Sequence, residues 1–160
     1  MRRSDDTDFR AIGLEGARLF GQGHYCGEAV LEVVSREAGQ PVSPRLATGF
    51  CSGLSRTGGP CGALMGAVLA VNLLTGRDDP AADREKDILH ANYALVDELV
   101  ERFQERFGAT ACTELTGCDL STPEGSLRYR EENKYDRCRE LIAGAIEDAL
   151  IVLAERPDAE

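Results

Sequence analysis

Six cysteines, Cys26, Cys51, Cys61, Cys112, Cys118 and Cys138, are the residues of this chain best suited to redox or metal chemistry. None forms a CxxC pair, which argues against a thioredoxin-like motif and against an ordinary zinc site. Spread over separate segments, they act together only if the fold draws them to one place. Cys61 has the most distinctive setting. It follows Thr57-Gly58-Gly59-Pro60 and opens an apolar segment. Pro60 suits the first turn of a helix or the residue before it, so Cys61 meets unpaired backbone N–H groups at the positive end of a helix dipole. Both effects favour a thiolate. Gly58, Gly59 and Gly62 let the backbone approach a bulky anionic group closely and donate to it. Gly62 and Gly66, four apart, clear one helix face, a pattern that serves close helix packing equally well. The phosphate-loop pattern GxxxxGK[ST] is not matched.

The other cysteines are less marked. Cys26 and Cys138 fall on inward helix faces, where packing alone accounts for them, since free cysteine is among the most buried residue types. Cys112 and Cys118 lie in a stretch with little core-forming pattern, where a thiol without a role is open to oxidation. His24, two residues before Cys26, is a candidate ligand or hydrogen-bond partner. His90 falls half-exposed on a long amphipathic stretch.

The elements that must position these residues are helical. Phe9, Ile12, Gly16, Leu19 and Phe20 form a first stripe, ended by Gly21-Gln22-Gly23. A second helix is predicted over about 25–38, with Cys26, Ala29, Val30, Val33 and Val34 on one face and Gly39 as its stop. Ser43-Pro44 reads as a cap and first residue of a third segment, with Leu46, Phe50, Cys51 and Leu54 inward. The run over about 61–74 is apolar nearly all round. Ile88, Leu89, Leu95, Val96, Leu99, Val100, Phe103 and Phe107 mark the longest helix, within 79–108. Ser121-Thr122-Pro123-Glu124 has capping-box spacing, and a last helix covers about 135–154. No strand, repeat or linker is evident. The expectation is an all-α, single-domain helical bundle (8–155) around a central apolar helix at about 61–74, with flexible tails at 1–7 and 156–160.

Composition removes several functions. A net charge of −10 argues against nucleic-acid binding, which needs a basic face. The apolar run spans roughly 21 Å at ~1.5 Å per residue, short of a ~30 Å hydrocarbon layer, so no membrane span is predicted. Arg2-Arg3 is followed by Ser4-Asp5-Asp6 rather than an apolar region, so a twin-arginine export signal is not predicted. The expected location is cytoplasmic and reducing, with free thiols.

Cys61-Gly62-Ala63-Leu64-Met65-Gly66 reads as CGAxxG. With "YCGEAV" before it and "ACTELTG" and "YDRCREL" after it, the chain resembles the C_GCAxxG_C_C family, redox-active proteins with four characteristic cysteines. The resemblance maps those four onto Cys26, Cys61, Cys112 and Cys138, leaving Cys51 and Cys118 outside the pattern. It implies an iron–sulfur prosthetic group of unspecified type on these four, with Gly62 beside it.

Three functions stay open at this point. The first is an iron–sulfur electron carrier, in which backbone N–H groups of the Gly-rich loop tune the cluster and the acidic surface steers docking to a redox partner protein. The second is a metal-free thiol–disulfide protein with Cys61 as its reactive thiolate. The third is a helical scaffold holding structural zinc or incidental cysteines. The apolar and long amphipathic helices offer surface for a homodimer. No Ser/His/Asp grouping, HExxH or paired-carboxylate motif points to hydrolysis.

Overall fold

Asp8 opens the first helix by accepting from the amides of Arg10 and Ala11, so α1 runs Phe9–Gly21. Positive-φ Gly23 then turns the chain into α2 (Cys26–Glu37), where Glu28 reaches back to the amide of Tyr25. This is the glutamate half of a capping box, which satisfies a donor that a helix start leaves unpaired. The next segments are α3 (Cys51–Arg56), α4 (Gly62–Thr75) and α5 (Glu85–Phe107). Short α6 (Cys112–Thr116), α7 (Pro123–Glu131) and α8 (Tyr135–Glu155) complete the order. Thr122 caps α7 by accepting from the amide of Gly125, one residue along from the predicted Ser121 start. In this computed structural model residues 8–81 and 85–156 are described, so the predicted tail at 1–7, and that at 156–160 except Arg156, lie outside the described residues.

The protein is all-α. Among the described residues the only β-type pairing is an isolated antiparallel bridge between Pro60 and Ala111. No helix there is long and apolar enough to cross a membrane. The core joins Val30, Val33 and Val34 of α2, Ala63, Leu64, Ala67 and Val71 of α4, Leu99 and Phe103 of α5, and the inward face of α8. Small residues set the spacing. A methyl on Gly13 would lie 2.5 Å from the Ala143 carbonyl oxygen, so α1 rests directly on the α8 backbone. Likewise a methyl on Gly66 would lie 2.5 Å from the Gly27 carbonyl oxygen, which fixes α4 against α2. Helix α4 is internal as its composition predicts, packing on α2, α5 and α8. It shares the centre with α8, which also meets α1 and α2, and Leu73 of α4 is 38% exposed.

The segment after Pro44 departs from expectation. Two 3-10 turns, Pro44–Leu46 and Thr48–Phe50, replace the predicted amphipathic helix, and Leu46 and Leu54 point outward. Segment α3 then winds with the opposite hand: Ser52, Gly53, Leu54, Ser55 and Arg56 all have φ between 46° and 69°. For L-residues this conformation costs about 1–2 kcal/mol each, glycine excepted. Such strain persists only where surrounding contacts hold it, and those contacts lie at the cysteines.

Candidate functional site

Four of the six cysteines sit where one element gives way to another. Cys26 begins α2, Cys51 begins α3, Cys61 caps α4 and Cys112 begins α6. Cys118 lies in the turn between α6 and α7, and Cys138 in the first turn of α8. The bridge aligns two of them: the Cys61 amide donates to Thr110 O (2.8 Å) and the Cys112 amide to Gly59 O (3.0 Å). The left-handed turn supports the arrangement from behind. A methyl on Gly53 would lie 2.5 Å from Cys112 Cβ, so only a residue without Cβ lets this turn rest on that thiol.

All six thiols are free, and each lies within electrostatic reach of another. Cys26 and Cys51 are brought side by side at Gly62, and the Cys51 thiol donates to Ala47 O (3.4 Å). Gly62 makes this possible, because a methyl there would lie 2.5 Å from Cys26 Sγ and 3.0 Å from Cys51 Cα. The two glycines of CGAxxG thus divide the roles that the sequence left balanced: Gly66 admits the α2 backbone and Gly62 admits a sulfur. The neighbouring Cys26 thiol, together with burial, holds the Cys51 thiol far above its ordinary range, and the Glu28 and Gly27 amides only partly oppose this.

Burial also decides the state of Cys61. The amides of Leu64 and Ala63 at the start of α4 act in the predicted direction and pull the thiol down. Desolvation outweighs them, because Cys61 is 4% exposed, and its pKa is pushed up to about 12. Burial likewise raises Cys112 to about 11, with the nearby Cys138 sulfur adding to the effect. Cys112 and Cys118 are buried, 8% and 1% exposed, although their stretch lacks core pattern. Burial raises Cys138 too, opposed by Tyr129, whose hydroxyl donates to Cys138 Sγ at 3.0 Å, and by Arg137.

Cys26 and Cys138 open on one cavity of about 450 Å³. Its walls include Phe20, Tyr129 and Tyr135, with the Tyr129 ring edge-on to Tyr135 at 4.9 Å. His24 lines it as well and is held by Glu32 (2.9 Å). Exposed His90 stands on α5, away from this cavity. The sequence reading missed Tyr129, Arg56 and Arg130 in the lining; the Ser121–Glu124 capping spacing located the helix carrying two of them but not which way it faces.

The donor set has the chemistry of cluster ligation, soft thiols from separate elements. Its spacing does not match: among the described residues, no three or more Cys, His, Asp or Glu side chains are grouped so as to hold a metal ion. Cys26 and Cys51 stand side by side, and Cys61, Cys112, Cys118 and Cys138 lie within electrostatic reach of one another. Residues 24–150 match the family model described as "Putative redox-active protein (C_GCAxxG_C_C)". No curated protein and no solved structure matches the chain.

Proposed function

The chain belongs to the C_GCAxxG_C_C family of redox-active proteins, and from that premise we propose that it is a thiol–disulfide redox protein whose working pair is Cys26 and Cys51. The observation that carries this reading is the placement of a thiol opening on a cavity beside a buried thiol, the two meeting at Gly62. Exchange needs an accessible attacking sulfur and a second sulfur within reach to resolve the product. Cys26 gives up its proton and its sulfur attacks one sulfur of a bound disulfide, whose S–S bond breaks and whose other half takes that proton and leaves as a thiol. Cys51 sulfur then attacks Cys26 sulfur, passes its proton to the departing second thiolate, and closes the Cys26–Cys51 disulfide. The protein loses two hydrogens and the substrate disulfide gains them. Keeping Cys51 protonated until that second step protects the reduced pair from premature oxidation.

The test is a redox titration followed by peptide mapping. Oxidised protein is expected to lose two hydrogens and yield a Cys26–Cys51 cross-linked peptide, and Cys51→Ser is expected to trap a mixed disulfide on Cys26. Oxidation that leaves Cys26 and Cys51 unlinked would overturn the assignment.

An iron–sulfur cluster on Cys26, Cys61, Cys112 and Cys138 is the second reading. It is favoured by the donor chemistry and by the mutual electrostatic reach of Cys61, Cys112 and Cys138. Such a cluster supplies one-electron transfer, and these side chains would have to regroup to hold it. Iron and sulfide in stoichiometric amounts after anaerobic purification would select it over the thiol reading.

A further inference from the structure

In a chain of net charge −10, three arginines line the Cys26 cavity: Arg56, Arg130 and Arg139. Arg139 is engaged by Asp136, but Arg56 and Arg130 have no acidic partner among the described residues. No aspartate or glutamate lines the cavity. Arg56 is placed there by the left-handed turn, which puts it four residues after Ser52, and both line the wall. Arg130 also borders a shallower depression shared with Arg56, formed by the loop before α7 and the start of that helix. The same cavity is lined by the rings of Phe20, Tyr129 and Tyr135 and by Cys26 and Cys138.

Guanidinium groups match carboxylates in charge and in donor geometry, and aromatic walls suit an apolar body. A volume of about 450 Å³ falls within the range of small-molecule sites and is too confined for a folded partner domain. We propose that this cavity binds a small disulfide bearing carboxylates at its ends, with its S–S bond at Cys26 and its carboxylates on Arg56 and Arg130. This inference rests on the thiol–disulfide reading and adds the substrate class. The disulfide is the oxidant: it takes two electrons and two protons from Cys26 and Cys51 and leaves as two carboxylate-bearing thiols. The lining arginines also offset an intrinsic handicap, since a thiolate and a dianionic disulfide repel each other in water.

The test measures mixed-disulfide formation in the Cys51→Ser protein with three probes of similar size. These are 3,3′-dithiodipropionate (dianion), bis(2-hydroxyethyl) disulfide (neutral) and cystamine (dication). The dianion is expected to react fastest at low salt, reversing the order in free solution, with the advantage shrinking as ionic strength rises. In an added Arg56→Gln/Arg130→Gln background the dianion-to-neutral rate ratio is expected to fall by about fivefold, the product of two modest charge contacts. Arg56→Lys/Arg130→Lys should retain most of the ratio. Cystamine reacting as fast as the dianion, with all probes still adding at Cys26, overturns the substrate class and leaves the thiol–disulfide reading standing. Failure of every probe to add at Cys26 overturns both.

Discussion

Raising the pH above 9 should destabilise this protein through its buried thiols, and the size of the effect can be worked out. Cys61 ionises at about 12 in the folded chain against an ordinary 9.0, and Cys112 at about 11. A thiol whose pKa is raised by folding contributes its full stability below 9.0, where it is protonated in both states. That contribution is lost as pH climbs towards the folded value, because only the unfolded chain ionises in that window. The loss is about 1.4 kcal/mol per pH unit per thiol. Between pH 7 and pH 10 Cys61 and Cys112 should therefore each remove about 1.4 kcal/mol, and Cys51 and Cys138 push in the same direction. The assay is urea unfolding under a phosphine reductant at half-unit pH steps, comparing the native chain with Cys61→Ala. Deleting the thiol costs packing at every pH, but it should make the pH 7 to 10 loss smaller by about 1.4 kcal/mol. An identical pH dependence in the two proteins would refute the claim that burial, rather than the helix start, governs Cys61.

Two further outcomes are expected. Gly62→Ala should destabilise by about 1–3 kcal/mol through overpacking, read by urea unfolding, and should also slow Cys26–Cys51 disulfide formation, because the new methyl claims the space of Cys26 Sγ. Preserved stability and an unchanged closure rate would contradict the placement of that sulfur. Tyr129→Phe removes the hydroxyl that donates to Cys138 and should move the Cys138 pKa further up; iodoacetamide labelling of Cys138 against pH should shift to more alkaline values.

The long helices were legible because their apolar residues recur with the helical period and end at glycines. Helices α1, α2, α4, α5 and α8 start and stop within a few residues of the boundaries read from periodicity alone. The stretch around residues 44–56 was not, since Leu46, Phe50 and Leu54 imitate a helical stripe while the backbone follows contacts from distant Cys112 and Gly59. Spacing and resemblance singled out Gly62, Cys26, Cys61, Cys112 and Cys138, and of these Gly62 and Cys26 meet in the structure. The partner of Cys26 could not be picked out, because Cys51 lies outside that four-cysteine pattern and meets Cys26 only through tertiary packing. Nor could the electrostatics of Cys61, for a sequence displays a helix start but not the depth at which it is buried. Arg56 and Arg130 carried no signal because exposed charges are the commonest kind of surface residue.

The reversed turn at residues 52–56 also changes how variation there should be read. Elsewhere in a helical chain glycine weakens and a side chain strengthens, but in a mirror-handed turn that order inverts. Ser52, Leu54 and Ser55 hold their shape against local preference, so glycine, asparagine or aspartate at these positions relieves the backbone. At Gly53 the converse holds, since any side chain meets both an unfavourable dihedral angle and Cys112. The five residues form a chirality switch that the ordinary vocabulary of helix propensity describes with the wrong sign.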